Sequence, residues 1–294
     1  MQHAEAAGRR DTLAGMLYMV AGGFLLTAQD AISKWLSADW HAGEIMGYRG
    51  LFMLFPVVLA MLWQRDASFL RPKRPKSVAL RAGTTMLTSC FVVLSVTVMP
   101  LADALAVIFL SPLLVTAMSA LFLGEPVGWR RWGAVAAGFV GVLMITSPGG
   151  MALSWTILIP LTAAAAAATR DVLTRAIGTA DTTLCVLFWS VFTIMLAGLV
   201  TLPFGTRWPE AGDWMLFAAA GFLGGASHFL TIRAFQIAAA SAMAPFKYLS
   251  LVWGAAFGYL LWQDVPGPMK IAGAVLMVAS GLYVMHRERL LARG

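Results

Sequence analysis

Long apolar runs alternate with short polar segments along the whole chain. Most of the runs have the length of about 17 to 25 residues that a helix needs to cross a bilayer. They lack the strict alternation over about ten positions that is typical of barrel strands, and an isolated strand in lipid would leave its backbone groups unpaired. The pattern therefore predicts ten membrane-spanning helices, at residues 13–36, 45–63, 78–97, 103–123, 130–146, 153–176, 182–202, 213–236, 241–262 and 268–286.

One part of this pattern occurs twice, at residues 101–146 and, about 139 residues later, at residues 238–285. Each copy holds an apolar run with scattered polar residues, then an acidic residue, a short turn rich in Pro and Gly, and a second apolar run. Ser111 in the first copy corresponds to Ser250 in the second. A repeat of this length indicates two similar halves, with a functional site where the halves meet.

The two halves, residues 1–147 and residues 148–294, are each predicted to hold five helices. Because five is an odd number of crossings, the second half enters the membrane from the opposite side, so the halves are predicted to be inverted copies. A second repeat agrees with this, since QDAISKW at residues 29–35 resembles RDVLTRA at residues 170–176. The predicted fold is an all-α integral membrane protein made of two inverted five-helix repeats. Secondary transporters commonly have this plan, and a channel or scaffold built on an ancient duplication is the alternative.

The distribution of positive charge predicts the orientation in the membrane. Charged residues make up 12% of the sequence, whereas soluble domains carry about 25%. Lys and Arg concentrate at the N-terminus, in the segment 64–77, in the turn before residue 132 and at the C-terminus, and the intervening loops have almost none. The positive-inside rule therefore places both termini in the cytoplasm. The net charge of +7 is explained by this topology, so no nucleic acid partner is expected.

Enzyme classes that act within membranes find little support in the sequence. It contains no HExxH motif for a zinc protease and no phosphate-binding loop for an ATP-driven pump. Ser227 and His228 are adjacent on one predicted helix, so their side chains diverge by about 100° and cannot form a catalytic pair. Cys90 and Cys185 lie inside apolar runs, which gives no disulfide framework. No enzyme activity, cofactor or metal site is therefore predicted.

Four sequence motifs resemble the EamA branch of the drug/metabolite transporter superfamily. They are DAISKWL at residues 30–36, YRGLF at 48–52, PLADALAVIFLSPLL at 100–114 and LGEPVGWRRWGAVAAGFVGVL at 123–143. The second half is similar more loosely, with Gln263 and Asp264 where the family usually shows Gly-Glu. The resemblance implies ten helices in two five-helix repeats, and alternating-access transport of a small metabolite across the bacterial inner (plasma) membrane.

The substrate is less well specified than the fold. The members that the chain resembles include bacterial amino-acid exporters, among them exporters of aromatic amino acids, so an amino-acid exporter is predicted. Similar members move vitamins, nucleotide-like metabolites or drugs, and uptake or efflux of riboflavin, a nucleoside-like compound or a drug stays open. The expected partners are this small molecule and the lipid bilayer.

Candidate substrate contacts are the polar and aromatic residues predicted near the middle of the membrane. A charge at the centre of a spanning helix costs about 2.5–3.5 kcal/mol on insertion scales, so polar groups there need a partner or a function. Aromatic rings mixed with hydroxyl groups suit an amphiphilic small molecule such as an amino acid. The predicted substrate-binding residues are Thr88, Phe91, Ser111, His228, Tyr248, Ser250 and Trp253.

Two of these residues also have simple structural explanations. Ser111 precedes Pro112, which removes a hydrogen bond from the helix, so Ser111 either lines the site or bonds its own backbone at a kink. His228 lies within a predicted span and either titrates near neutral pH during proton coupling or is a hydrogen-bonded core residue.

A second set of candidates has a gating or structural role and consists of charged residues near the ends of the spans: Asp30, Lys34, Arg49, Arg170, Asp171 and Arg175. Asp30 and Lys34 are one helical turn apart, as are Asp171 and Arg175, which predicts an ion pair in each half. Arg49 is expected to pair with Asp30 or to bond helix-end carbonyls. The ion pairs either hold each repeat together permanently or break in turn as gates.

Glycines recur eight residues apart in the fifth and tenth predicted helices, at Gly133 and Gly141 and at Gly273 and Gly281. Small residues of this kind let two helix backbones approach closely. We expect the two helices to pack against each other within one chain, and a dimer interface is the alternative. The predicted oligomeric state is a monomer or a weak homodimer.

Overall fold

The structure is a computed structural model that describes residues 2–64, 70–122, 128–146, 155–177, 181–201, 208–237 and 246–291. Within these ranges the side chains of residues 2–12 and of some positions near helix ends are outside the description, and Arg175 is one of them. The described residues form helices and no strands. The helices are α1 (Gln2–Leu36), α2 (Ala42–Gln64), α3 (Pro75–Val98), α4 (Leu101–Ile108), α5 (Ser111–Phe122), α6 (Trp129–Thr146), α7 (Leu158–Ile177), α8 (Thr183–Thr201), α9 (Ala211–Ile237), α10 (Leu249–Trp262) and α11 (Pro268–Leu291).

Six stretches of the described helices are long and apolar enough to cross a membrane. They are Leu13–Leu36, Ala42–Leu59, Pro75–Val98, Trp155–Thr174, Leu184–Thr201 and Ala211–Thr231. Four shorter apolar stretches of 10–17 residues are Leu101–Val115, Trp132–Ile145, Leu249–Trp262 and Pro268–Val284. Each of these stretches overlaps one of the spans predicted from the sequence, so the prediction of an all-helical membrane protein is confirmed.

The predicted fourth span is interrupted, because α4 ends at Ile108 and α5 begins at Ser111. Pro112 has no N–H group and so cannot bond the carbonyl of Ile108, which stops one helix and starts another. In the gap, the Leu110 N–H donates to the Val107 carbonyl at 3.0 Å, a tighter turn than an α-helix makes. The predicted span over residues 103–123 therefore consists of two helices, and Pro112, where the sequence indicates a kink, is the reason.

A second interruption lies at Tyr248, where a turn precedes α10. The predicted ninth span covered residues 241–262, of which residues 241–245 lie outside the described part of the chain. The Leu251 N–H donates to the Tyr248 carbonyl at 3.1 Å, again the short bond of a tight turn. Tyr248 follows Phe109 by the interval of the sequence repeat, so the two breaks fall at corresponding places.

The helices of the two halves pack pairwise against each other. Helix α1 packs on α9, α2 on α8, α3 on α7, α4 on α10 and α6 on α11. Backbones nearly touch at two of these crossings: a Cβ atom on Gly47 of α2 would lie 3.1 Å from the carbonyl carbon of Gly198 on α8, and one on Gly141 of α6 would lie 2.6 Å from the Gly273 oxygen on α11. The fifth and tenth predicted helices thus pack within one chain, as expected.

An aromatic cluster closes the end of the bundle where α1 turns into α2. The Trp40 ring meets the Phe217 ring of α9 edge-on, with centroids 5.4 Å apart, and the centroid of Tyr48 lies 5.0 Å from that of Phe217. All three side chains are buried. This cluster fixes the α1–α2 turn to the beginning of α9.

Candidate functional site

Helix α1 is held tightly between α9 and α10 at two adjacent glycines. The Ser227 hydroxyl on α9 donates to the Gly22 carbonyl at 2.7 Å. A Cβ atom on Gly23 would lie 2.8 Å from the Ser250 hydroxyl oxygen on α10. Because neither glycine has a side chain, polar groups of two other helices reach the α1 backbone, and Ser250 is placed beside α1 as part of a polar contact region.

Trp253 lies one turn beyond Ser250 on α10 and contacts the next residue of α1. Its ring meets Phe24 edge-on, with centroids 5.4 Å apart. The Trp253 Nε1 atom is buried and has no hydrogen-bond partner among the described residues. An unsatisfied buried donor costs about 1–3 kcal/mol, so this N–H is a candidate to receive a polar atom of a ligand.

Tyr248 is placed differently from Trp253. Its ring lies 6.0 Å from that of Phe109, and it packs in an apolar cluster with Leu110 and Met277. Its buried hydroxyl abuts Gly281 of α11 and has no hydrogen-bond partner in the part of the chain that the structure describes. Residues five positions apart point to different faces of a helix, at about 140°, so the structure does not bring Tyr248 and Trp253 together.

A buried cluster, called here the Arg49 cluster, consists of Asp30, Ser33, Arg49 and Ser89. The Arg49 guanidinium donates to the Ser33 hydroxyl at 2.9 Å and to the Ser89 hydroxyl at 2.6 Å, which joins α1, α2 and α3. Asp30 lies one helical turn before Ser33 on α1 and accepts a bond of 3.0 Å from the Gln29 amide. Asp30 and Arg49 are each only 4% exposed. Among the described residues, the Arg49 guanidinium bonds neither Asp30 nor a helix-end carbonyl, the two expected partners, and its acceptors are the Ser33 and Ser89 hydroxyls.

A second cluster, the Arg81 cluster, lies nearer the beginning of α3. It consists of Arg81, Asp171, Thr174 and Ser190. The Arg81 guanidinium donates to the Thr174 hydroxyl on α7 at 2.8 Å and to the Ser190 hydroxyl on α8 at 2.7 Å. Asp171 lies one helical turn before Thr174 on α7. Arg81 is buried. Like Arg49, it joins three helices through hydroxyl groups.

Asp171 forms ion pairs with two basic residues. The Arg170 guanidinium lies 2.9 Å from one of its oxygens and the Lys247 ammonium lies 3.4 Å from the other. The side chains of these three residues are 21% to 28% exposed, unlike the buried Asp30 and Arg49. The region around Asp171 is therefore the more open of the two charged regions.

The predicted ion pair between Asp30 and Lys34 is not formed. The Lys34 ammonium instead donates to the Met99 carbonyl at 2.9 Å and lies 5.2 Å from the centre of the Trp262 ring. The four-carbon stem of a lysine is long enough to reach the connection between α3 and α4. The Met99 carbonyl there competes with the Asp30 carboxylate one turn away. The corresponding partner in the second half, Arg175, lies outside the described side chains.

Helix α3 connects the two arginine clusters and carries hydroxyl groups between them. Arg81 and Ser89 are eight residues apart, which corresponds to about 12 Å along a helix. Thr84 and Thr88 lie in between, and the Thr88 hydroxyl donates to the Thr84 carbonyl at 2.8 Å. That bond uses the hydroxyl proton and leaves lone pairs free to accept. Phe91 follows within one turn of Thr88 and is half-buried.

His228 and Ser111 complete the predicted set. His228 is half-buried on α9 and follows Ser227, whose hydroxyl bonds the Gly22 carbonyl of α1. Ser111 is the first residue of α5, half-buried at the helix break.

Sequence reasoning missed Arg81, the central residue of its cluster. It lies close to the basic segment 64–77, whose charges indicate topology. The available signal was its position nearly two turns beyond Pro75, where α3 begins, too deep for a residue of the loop. Lys247 and the hydroxyl partners Ser190 and Thr174 were also absent from the predicted site, because their roles depend on which helices become neighbours.

Comparisons with known proteins give the chain a family context. The sequence profile of the EamA-like transporter family matches residues 13–147 and again residues 153–285. A crystal structure of a protein with 19% sequence identity shares the fold, with a TM-score of 0.69 over 95% of this chain and 97% of that chain.

Curated relatives of three kinds are similar over nearly the whole chain. An S-adenosylmethionine uptake transporter of Rickettsia felis is 26% identical over 276 residues, 91% of this chain and 92% of its own length. A riboflavin transporter of Rhizobium johnstonii is 26% identical over 289 residues, with 93% and 91% covered. A pseudopaline exporter of Pseudomonas aeruginosa is 27% identical over 283 residues, with 94% and 97% covered.

Proposed function

The chain belongs to the EamA-like transporter family, and from that premise we propose that it is a secondary transporter that moves a small metabolite across the bacterial inner membrane by alternating access. It is a multi-pass membrane protein with apolar helices. The observation that carries the proposal is the pair of arginine clusters, buried among apolar helices at the two ends of a hydroxyl-bearing stretch of α3. Buried charges within a membrane protein mark substrate or ion pathways.

The proposed architecture is two inverted five-helix repeats, residues 1–147 and 148–294, with ten crossings and both termini in the cytoplasm. Three observations support it. The family profile matches each half separately. The helix breaks at Phe109 and Tyr248 fall at corresponding places in the two halves. The contact between α1 and α9 also has a counterpart in the contact between α7 and α3, as a two-fold axis in the membrane plane requires.

The two arginine clusters are proposed to be the gates. Ser33 and Thr174 are separated by the same interval as Asp30 and Asp171, so each cluster contains an acid and a hydroxyl at equivalent places. In one end state the Arg49 cluster holds α1, α2 and α3 together, and in the other the Arg81 cluster holds α3, α7 and α8. Each opening separates an arginine from its acceptors, and the substrate or water then takes their place.

The proposed substrate joins a flat ring system to a polar group. The predicted amino-acid exporter is one form of this class. The relatives point to larger members, since S-adenosylmethionine is an amino acid joined to an adenosine, and riboflavin has a three-ring system. The relatives described above include one protein named for uptake and one named for export. The direction of transport therefore has to be measured.

Trp253 and Phe24 are proposed to contact the ring of the substrate. The Trp253 N–H is proposed to donate a hydrogen bond to a polar atom of the substrate. Ser250, Thr88 and His228 are proposed to contact the polar group, with Phe91 and Ser111 at the edge of the cavity. Tyr248 is assigned a packing role at the helix break, because its ring lies in an apolar cluster.

Counterflow into proteoliposomes that contain the purified protein tests this proposal. The panel consists of labelled amino acids, S-adenosylmethionine, riboflavin and a simple sugar as a negative control. We expect saturable exchange of at least one ring-bearing compound and none of the sugar. Exchange of small aliphatic amino acids alone would contradict the proposed ring site, and unsaturable leakage of all compounds would indicate a channel.

A further inference from the structure

A groove lies between the beginning of α6 and the end of α11, away from the arginine clusters. We call it the α6–α11 groove; it has a volume of about 510 Å³, within the range of about 300–1,000 Å³ of small-molecule sites. Its lining residues are Trp129, Arg130, Ala134, Ala279, Ser280 and Tyr283.

The sequence explains why this groove exists. The antiparallel helices α6 and α11 have their backbones in contact at Gly141 and Gly273. Towards the other end the residues between them are small, with Ala134 on one helix and Ala279 on the other, and a Cβ atom on Gly133 would meet nothing within 4 Å. The small residues leave the space between the helices unfilled.

The walls and the mouth of the groove have the chemistry of a membrane interface. Trp129 is 78% exposed and Tyr283 is 41% exposed, and residues of these two types are enriched where lipid headgroups lie. The Arg130 guanidinium lies 5.5 Å from the centre of the Trp129 ring, which orients it at the mouth. None of the lining residues is acidic.

We propose that the α6–α11 groove binds an anionic phospholipid of the cytoplasmic leaflet, with its phosphate on Arg130 and the beginning of an acyl chain over Ala134 and Ala279. A guanidinium offers paired N–H donors that match two phosphate oxygens, and basic pockets between spanning helices on the cytoplasmic side bind anionic headgroups. The sequence adds Arg131, Arg287 and Arg289 near these helix ends, with Glu288 as the one acid among residues 286–291. The inference rests on the proposed membrane topology and is independent of the proposed substrate.

Native mass spectrometry of the full-length protein in detergent tests the proposal, with phosphatidylglycerol or phosphatidylcholine added. We expect one retained phosphatidylglycerol and about tenfold weaker retention of phosphatidylcholine. Arg130→Gln removes the contact with the headgroup, and Ala279→Leu fills the part of the groove proposed to hold the acyl chain. Each should therefore lower phosphatidylglycerol retention about tenfold. Lys76→Gln is the matched control, because it removes one positive charge from an exposed position at the beginning of α3.

Three results would overturn the proposal. The first is equal retention of the two lipids. The second is an equal loss in Arg130→Gln and Lys76→Gln, which would indicate a general effect of surface charge. The third is a dimer of the chain in place of the lipid adduct, lost in Ala279→Leu, which would make the groove a contact between two copies. Unchanged melting temperatures of the variants verify that each has folded.

Discussion

Arg81 on α3 donates a hydrogen bond of 2.7 Å to Ser190 on α8. Ser190 follows Arg49 by the interval that separates Asp30 from Asp171, so the serine stands where the repeat puts the counterpart of Arg49. The second half thus has a hydroxyl group in place of the guanidinium of the first, and an arginine from α3 reaches in to bond it. The two clusters have similar chemistry, assembled from different helices.

Removing one hydroxyl acceptor should weaken one cluster and leave the other intact. Ser190→Ala leaves one guanidinium nitrogen of Arg81 without its partner, which costs about 1–3 kcal/mol, and Ser33→Ala does the same to Arg49. If the clusters are gates, Ser190→Ala should favour opening at the Arg81 end and Ser33→Ala at the Arg49 end. The native thiols report on this, since Cys90 is adjacent to Ser89 and Cys185 is on the same helix as Ser190.

The measurement is the rate of thiol labelling in two single-cysteine forms, Cys90→Ser and Cys185→Ser. We expect Ser190→Ala to raise labelling of Cys185 and lower that of Cys90, and Ser33→Ala to have the reverse effect. Thr162→Ala is the control, because this exposed hydroxyl bonds only its own helix. Labelling that rises at both thiols in each variant would indicate a general loosening of the helix packing and would contradict the assignment of the clusters as gates.

Replacing Trp253 should separate the role of its ring from that of its N–H. Trp253→Phe keeps an aromatic contact with Phe24 and removes the unpartnered donor, so we expect KM to rise about tenfold or more without a fall in the melting temperature. Trp253→Ala removes both and should abolish saturable exchange. Trp155→Phe, at an 85% exposed position, is the matched control. Equal KM values for Trp253→Phe and the control would remove Trp253 from the substrate site.

Tyr248→Phe should leave transport intact and stabilise the fold slightly. The Tyr248 hydroxyl is buried against Gly281 without a hydrogen-bond partner, so its removal relieves a desolvation cost of about 1–3 kcal/mol. The measurements are the melting temperature in detergent and the counterflow rate. A large fall in transport with unchanged melting would show that the hydroxyl contacts the substrate after all.

The α6–α11 crossing provides a test of packing with an internal control. Gly141→Ala would place a Cβ atom 2.6 Å from the Gly273 oxygen, and since backbone cannot move aside as a side chain does, we expect a loss of about 1–3 kcal/mol of stability. Gly133→Ala, on the same helix, meets nothing within 4 Å. Thermal unfolding of both variants should show a lower melting temperature for Gly141→Ala only. Equal values would mean that the helices do not meet as described.

Much of the fold was predictable because it depends on local sequence. Apolar runs predicted the helices, and Pro112 predicted a disturbance at Ser111, although a complete break also depends on the neighbours that accept it. The glycines of the fifth and tenth predicted helices predicted the contact of α6 with α11, although of the four only Gly141 and Gly273 meet there. These features need only hydrophobicity, proline chemistry and side-chain size.

The candidate site was less predictable because its contacts join distant parts of the chain. The spacing of Asp30 and Lys34 shows that they are close enough to pair, and it says nothing about Met99, whose carbonyl takes the lysine. The position of Arg81 close to the basic segment 64–77 does not indicate that α7 and α8 supply its acceptors. Tyr248 and Trp253 share a helix, and only the packing of α10 reveals that they face different neighbours.

The glycine contacts of α2 with α8 and of α6 with α11 have a mechanical consequence. At both, backbone meets backbone with no side chain between, so no rotamer change lets the helices slide or separate there. Each contact joins one half of the chain to the other. We expect these two contacts to stay fixed and to act as pivots, so that the two halves rotate about them while the surrounding helices move.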